Sequence, residues 1–124
     1  MADTQAAALL APFRLDEVES REGSRNKLFT YASTEVVLRR IIETCPQHSW
    51  RVNTIQLVKR GDQPEYWLCH GTLEIEGLGA RDGIGTAPVF VPKSDTMDLE
   101  APKSAETDAY KRAAVKFGVA LHLY

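Results

Sequence analysis

The sequence predicts one α+β domain, ordered as a helix, a three-stranded antiparallel meander and a long helix. Three observations carry this reading. Apolar residues recur at helical spacing from Val37 to Cys45. Alternation with period two then runs from Trp50 to Ala87, broken by short turns. A segment rich in alanine with interleaved basic residues, from Ser104 to a Gly118 stop, closes the pattern. Of the 124 residues 44% are apolar, enough for one core in a domain of ordinary size.

The elements follow in order. Residues 1–14 read as a helical N-terminal arm anchored by Leu9, Leu10 and Phe13. This start has no basic n-region, and no apolar run reaches membrane-spanning length. Neither a signal peptide nor a transmembrane helix is expected, which places the chain in the cytoplasm. Residues 15–31 are mixed, with a loop at Glu22-Gly23-Ser24-Arg25-Asn26. Ser33 or Thr34 is the N-cap of the next helix. Its apolar face is Val37, Leu38, Ile41, Ile42 and Cys45, with Arg39, Arg40 and Glu43 outside, and Pro46 ends it.

The first strand begins at Trp50. Gly61-Asp62-Gln63-Pro64 turns into the second, Glu65 to Glu76, where Trp67, Cys69, Gly71, Leu73 and Ile75 share one face. Gly77-Leu78-Gly79 leads to the third, Ala80 to about Ala87. Gly83 and Gly85 inside it mark a bulge or the close approach of another backbone. Residues 88–103 hold Pro88, Pro92 and Pro102 and read as a loop whose apolar part, Val89-Phe90-Val91, packs down. On the final helix Tyr110, Ala113, Ala114, Phe117 and Leu121 share one side, and Asp108, Arg112 and Lys116 the opposite one. Val115 and Val119 fall on a flank that suits a neighbouring subunit or a wider core.

Charge is informative through its distribution. The net charge is −2, unlike a generic nucleic-acid binder. Yet from Ser20 to Arg60 eight basic residues face only Glu22, Glu35 and Glu43, and from Gly61 to Ala101 the balance is acidic. Lys111, Arg112 and Lys116 make the last helix basic again, which suits either a phosphate backbone or a solvated face with Asp108 paired to Arg112.

Catalysis has no constellation behind it. His70 beside Cys69, and Glu74 with Glu76, are candidate groups without a nucleophile–base pair. Gly77-x-Gly79 joins two strands and opens no helix, so it is no phosphate loop. Cys45 and His48 are separated by Pro46 and make no metal set. The two cysteines read as reduced, buried thiols. No cofactor, metal or small-molecule substrate is expected.

The string Thr107-Asp108-Ala109-x-Lys111-Arg112-Ala113-x-x-x-Phe117-Gly118 resembles the signature helix of the Rad52-type single-strand annealing proteins. The short length and the Leu-His-Leu-Tyr ending are similar to their DdrA-like bacterial members, which act in the DNA-damage response. Tyr31, the helix Val36 to Ile42, Trp50 and Arg81-Asp82-Gly83-Ile84-Gly85 extend the resemblance over roughly Leu15 to Leu123. It implies a β-β-β-α annealing core that assembles through its sheet into an oligomeric ring. Single-stranded DNA would lie in an outer basic groove, backbone inward and bases outward, with no nucleotide hydrolysis. Lys111 and Arg112 would line that groove, with Lys103 and Lys116 beside them. The basic residue such a groove has at the start of the first long helix is Val36 here, so Arg39 or Arg40 either replaces it or is surface. The loop carrying Asp95, Asp98 and Glu100 is acidic where larger relatives are basic. The expected role is strand annealing or end protection in double-strand break repair; the alternative is an oligomeric interaction module that has lost annealing. With Tyr124 as its last residue, the chain is expected to lack the recruitment tail that the resemblance assigns to larger eukaryotic relatives.

Overall fold

The central strand of the main sheet organises the molecule. The computed structural model describes residues 2–22, 28–89 and 100–120. A three-stranded antiparallel sheet has the order β3-β4-β5, from β3 (His48–Arg60), β4 (Gln63–Ile75) and β5 (Gly79–Pro88). Before it come α1 (Ala2–Leu10), a short 3-10 turn (Leu15–Glu17), a hairpin of β1 (Val18–Glu22) and β2 (Leu28–Ala32), and α2 (Thr34–Thr44). After it comes α3 (Glu100–Val115). The α+β class and the meander are as expected. The β1–β2 hairpin is an addition, in a stretch whose first strand, Val-Glu-Ser-Arg-Glu, carries almost no apolar alternation.

Alternation along β4 decides which face is covered. Cys69, Leu73 and Ile75 are buried beneath α3, while Glu74 on the other face is exposed. The glycines of β5 are explained by the helix above them. A methyl group at Gly83 would collide with the Ala109 carbonyl oxygen, and one at Gly85 with the backbone of Ala105 and Ala109. Helix α3 presents Ala101, Ala105, Ala109 and Ala113, one small side chain per turn, to this strand, and all four are buried. Small residues on both partners bring the two backbones together; there is no bulge in β5. The register shifts lie in β3, at Val52/Thr54 and Val58/Lys59.

The larger core unites α1, α2, the ends of β3 and β4 and the last turns of α3. Leu9, Ile41, Leu73, Ile75 and Val119 are fully buried there. Ser33 caps α2, its hydroxyl accepting from the Val36 N–H at 3.3 Å. The expected apolar face of α2 divides: Val37, Ile41 and Cys45 are buried, while Leu38 is 39% and Ile42 50% exposed. Leu9 and Phe13 anchor the arm, and Leu10 is half exposed. Both thiols are buried and free, and burial pushes their pKa values up, so they stay protonated.

Two boundaries are corrected. The loop assigned to 88–103 gives up its last residues to α3, which starts at Glu100; Pro102 is accommodated because first-turn N–H groups lack intrahelical acceptors anyway. Regular helix stops at Val115, and Gly118 adopts φ 101°, a conformation that favours glycine. The chain therefore turns Val119 into the core, where it is fully buried, as the wider-core alternative expects. The loop at Glu22 to Asn26 beyond its first residue, the segment Phe90 to Pro92 with the acidic residues Asp95 and Asp98, and the Leu-His-Leu-Tyr ending lie outside the described residues.

Candidate nucleic-acid interface

Helix α3 has two polar flanks, and the basic residues are divided between them. Lys103 and Lys111 belong to the flank facing α2. Together with Thr34, Ser104, Thr107 and Asp108 they line a concavity of about 360 Å³. The Lys111 ammonium donates to the Ala32 carbonyl at 2.7 Å, tying α3 to the end of β2. Lysine ammonium groups set among serine and threonine hydroxyls are the chemistry that holds phosphate oxygens. Thr34, Ser104 and Thr107 had no distinguishing sequence signal by themselves. Only the packing of the α2 N-terminus against α3 brings Thr34 to the others.

Arg112 and Lys116 lie on the other flank, beside the edge of β5 that faces away from β4, around Ile84 and Val115. Arg112 pairs with Asp108 at 3.1 Å, as the i, i+4 spacing implies. Asp108 also accepts the Thr86 backbone N–H at 3.1 Å, and the Lys116 ammonium donates to the Asp82 carbonyl at 2.5 Å. These side chains satisfy outward-facing groups of an edge strand, which blocks further pairing there.

The two arginines of α2 are separate again. Arg39 is exposed and paired with Glu35 at 3.0 Å. Arg40 donates to the Ala8 and Ala11 carbonyls at 3.1 and 2.7 Å and lies 4.2 Å over the Phe13 ring. It thereby completes the C-terminal end of α1, where carbonyls lack helical partners. The six basic residues singled out in the sequence thus form no single cluster: Lys103 and Lys111 come together, Arg112 and Lys116 come together, and Arg39 and Arg40 point to different partners.

A second cleft adjoins the lysine concavity and shares Thr34 and Thr107 with it. Its other walls are Leu38, His48, Trp50, Glu106 and Tyr110. Trp50 and Tyr110 meet edge to face, ring centroids 5.2 Å apart, and the Trp50 N–H donates to Glu106 at 3.2 Å. Burial raises the Tyr110 phenol to a pKa of about 12. Sequence spacing gave no hint that Trp50 and Glu106 touch.

On the sheet face away from α3, Asn53 donates to the Thr72 hydroxyl and Thr72 to Asp82, both at 2.7 Å; His70 lies 3.0 Å from the same carboxylate. The Thr72 hydrogen bond, then that of His70, holds the Asp82 carboxyl below the usual carboxylate range. Among the described residues no His, Cys, Asp and Glu group has the makings of a metal site.

A family model described as "Rad52/22 family double-strand break repair protein" matches residues 2–124. No curated protein matches the chain.

Proposed function

This chain belongs to the Rad52/22 family of double-strand break repair proteins, and from that premise we propose that it binds single-stranded DNA as an oligomeric ring. In that form it promotes annealing of complementary strands or protects DNA ends. The observation that carries this reading is the concavity where Lys103 and Lys111 converge with Thr34, Ser104 and Thr107. We place the strand's phosphates there. Arg112, Lys116, Arg39 and Arg40 are outlying members of the proposed basic surface; each, like Lys111, has a protein partner that DNA must share or displace. The protein acts by binding and positioning, without bond-making chemistry of its own.

Oligomerisation is part of the mechanism on energetic grounds. Each phosphate neutralised on a single strand contributes about −0.7 to the slope of log K against log salt. A few cations per subunit give weak binding at physiological salt. Subunits arrayed on one strand multiply it through effective concentration. We place the protein in the cytoplasm, on the nucleoid of a bacterium or in a phage-infected cell. No helix of the described residues is long and apolar enough to cross a membrane.

A second reading is an oligomeric interaction module that keeps the fold without annealing. The engagement of Arg112, Lys116 and Arg40 by protein acceptors favours it. Fluorescence anisotropy of a labelled oligo-dT, at low and then moderate salt, separates the two when native mass is measured on the same sample. Salt-sensitive binding by a large oligomer is the expected result. A large oligomer indifferent to DNA at low salt would transfer the case to the interaction module.

A further inference from the structure

The aromatic cleft beside the lysine concavity has a shape and chemistry that phosphate binding does not use. We propose that it receives one unstacked nucleobase per subunit from the bound strand while the other bases stay outward for pairing, an inference that rests on the single-strand-binding reading above. Three observations converge. The cleft, about 330 Å³, is walled by the apolar surfaces of Leu38, Trp50 and Tyr110. It shares Thr34 and Thr107 with the concavity of Lys103 and Lys111, so a phosphate held there has its own base within reach of the aromatic walls. The Trp50 ring is seated against the sheet at Gly71, where any side chain would collide with it, so the ring is fixed before a ligand arrives.

The polar rim sorts among bases. His48 Nδ1 lies 2.6 Å from the Cys45 carbonyl, which can only accept, so Nδ1 carries the proton and Nε2 of the neutral ring is an acceptor. Glu106 is a second acceptor. Two acceptors favour a base whose edge carries an amino group (cytosine, adenine or guanine) over thymine. Aromatic side chains are the usual platforms for single-stranded bases, because every base has a π-face.

The test compares labelled oligonucleotides of equal length, one of dC and one of abasic sugar-phosphate, on the wild-type protein and on Leu38→Phe. Leu38 is 39% exposed, so a phenyl group there fills the cleft without entering the core. The expected result is binding of the dC strand about tenfold or more tighter than the abasic strand, a preference that Leu38→Phe erases by weakening dC alone. A companion measurement on Glu106→Gln should narrow the margin of dC over dT while leaving the abasic strand unchanged. Equal affinity for dC and abasic strands would overturn the base pocket and leave phosphate binding standing. A dC preference that survives in Leu38→Phe would also overturn it, since the bases would then stack elsewhere. Failure of both strands to bind at low salt would instead remove the single-strand-binding reading, and the pocket with it.

Discussion

The two flanks of α3 use the same residue types for different ends. Along β5, Asp108 holds both Arg112 and the Thr86 N–H, and Lys116 donates to the Asp82 carbonyl. Toward α2, Lys103 and Lys111 gather with three hydroxyl side chains around a concavity. The sequence reads both flanks as basic. The difference lies in what each flank faces: an edge strand has unpaired backbone groups that recruit polar side chains, whereas the junction of two helix surfaces leaves a hollow. A basic residue on a helix is therefore not by itself a phosphate ligand. Its neighbour decides.

The largest expected effect breaks the helix–strand contact on which both flanks depend. Gly85→Val places side-chain atoms inside the backbone of Ala105 and Ala109, and should cost about 3 kcal/mol or abolish folding. Chemical denaturation followed by circular dichroism measures this, and a near-wild-type midpoint would refute the close approach.

Next come the lysines. Lys103→Ala with Lys111→Met should weaken oligo-dT binding and reduce the salt slope by about 1.4, one increment per cation. Lys111→Met also removes the bond to Ala32, for an expected loss of about 1 kcal/mol of stability, so the folded fraction is measured alongside.

A smaller effect concerns acid. Asp82 titrates below its unfolded value, near about 3.9, because Thr72 and His70 hydrogen-bond its charged form. Its stabilising contribution is thus full above that value and is lost as pH falls through the lower, folded one. Thr72→Val should remove most of this contribution at neutrality and flatten the acid limb below about pH 4, so that the wild-type and variant curves converge in acid as far as Asp82 is concerned. An unaltered limb would show that the ladder Asn53–Thr72–Asp82 does not govern it. The smallest effect belongs to Arg112→Ala. Its partner is an exposed i, i+4 carboxylate, so the expected stability change is a few tenths of a kcal/mol by thermal melting.

Much of the fold was legible because it follows from local patterns. Ser33 caps α2, Pro46 follows its end, and the odd residues of β4 face the core, as period and capping chemistry dictate. Gly83 and Gly85 were readable as a close approach, though not which backbone approaches. The β1–β2 hairpin was not readable, since β1 lacks apolar alternation. The early start of α3 was hidden by Pro102, a residue that a helix tolerates only in its first turn. For the candidate site, the sequence named cations but could not say how they are grouped. That Lys111 meets Ala32, that Trp50 meets Glu106 and that Arg40 completes α1 are long-range facts, which no spacing in the chain encodes.

The most direct test of the account sets one flank against the other. Oligo-dT affinity should be measured across a salt series for the wild type, for Lys103→Ala with Lys111→Met, and for Arg112→Ala with Lys116→Ala. The account predicts that the first pair loses most of the affinity and the salt dependence, while the second retains most of both. The reverse order, with the β5 flank carrying the salt slope, would contradict the assignment of the strand to the concavity between α2 and α3.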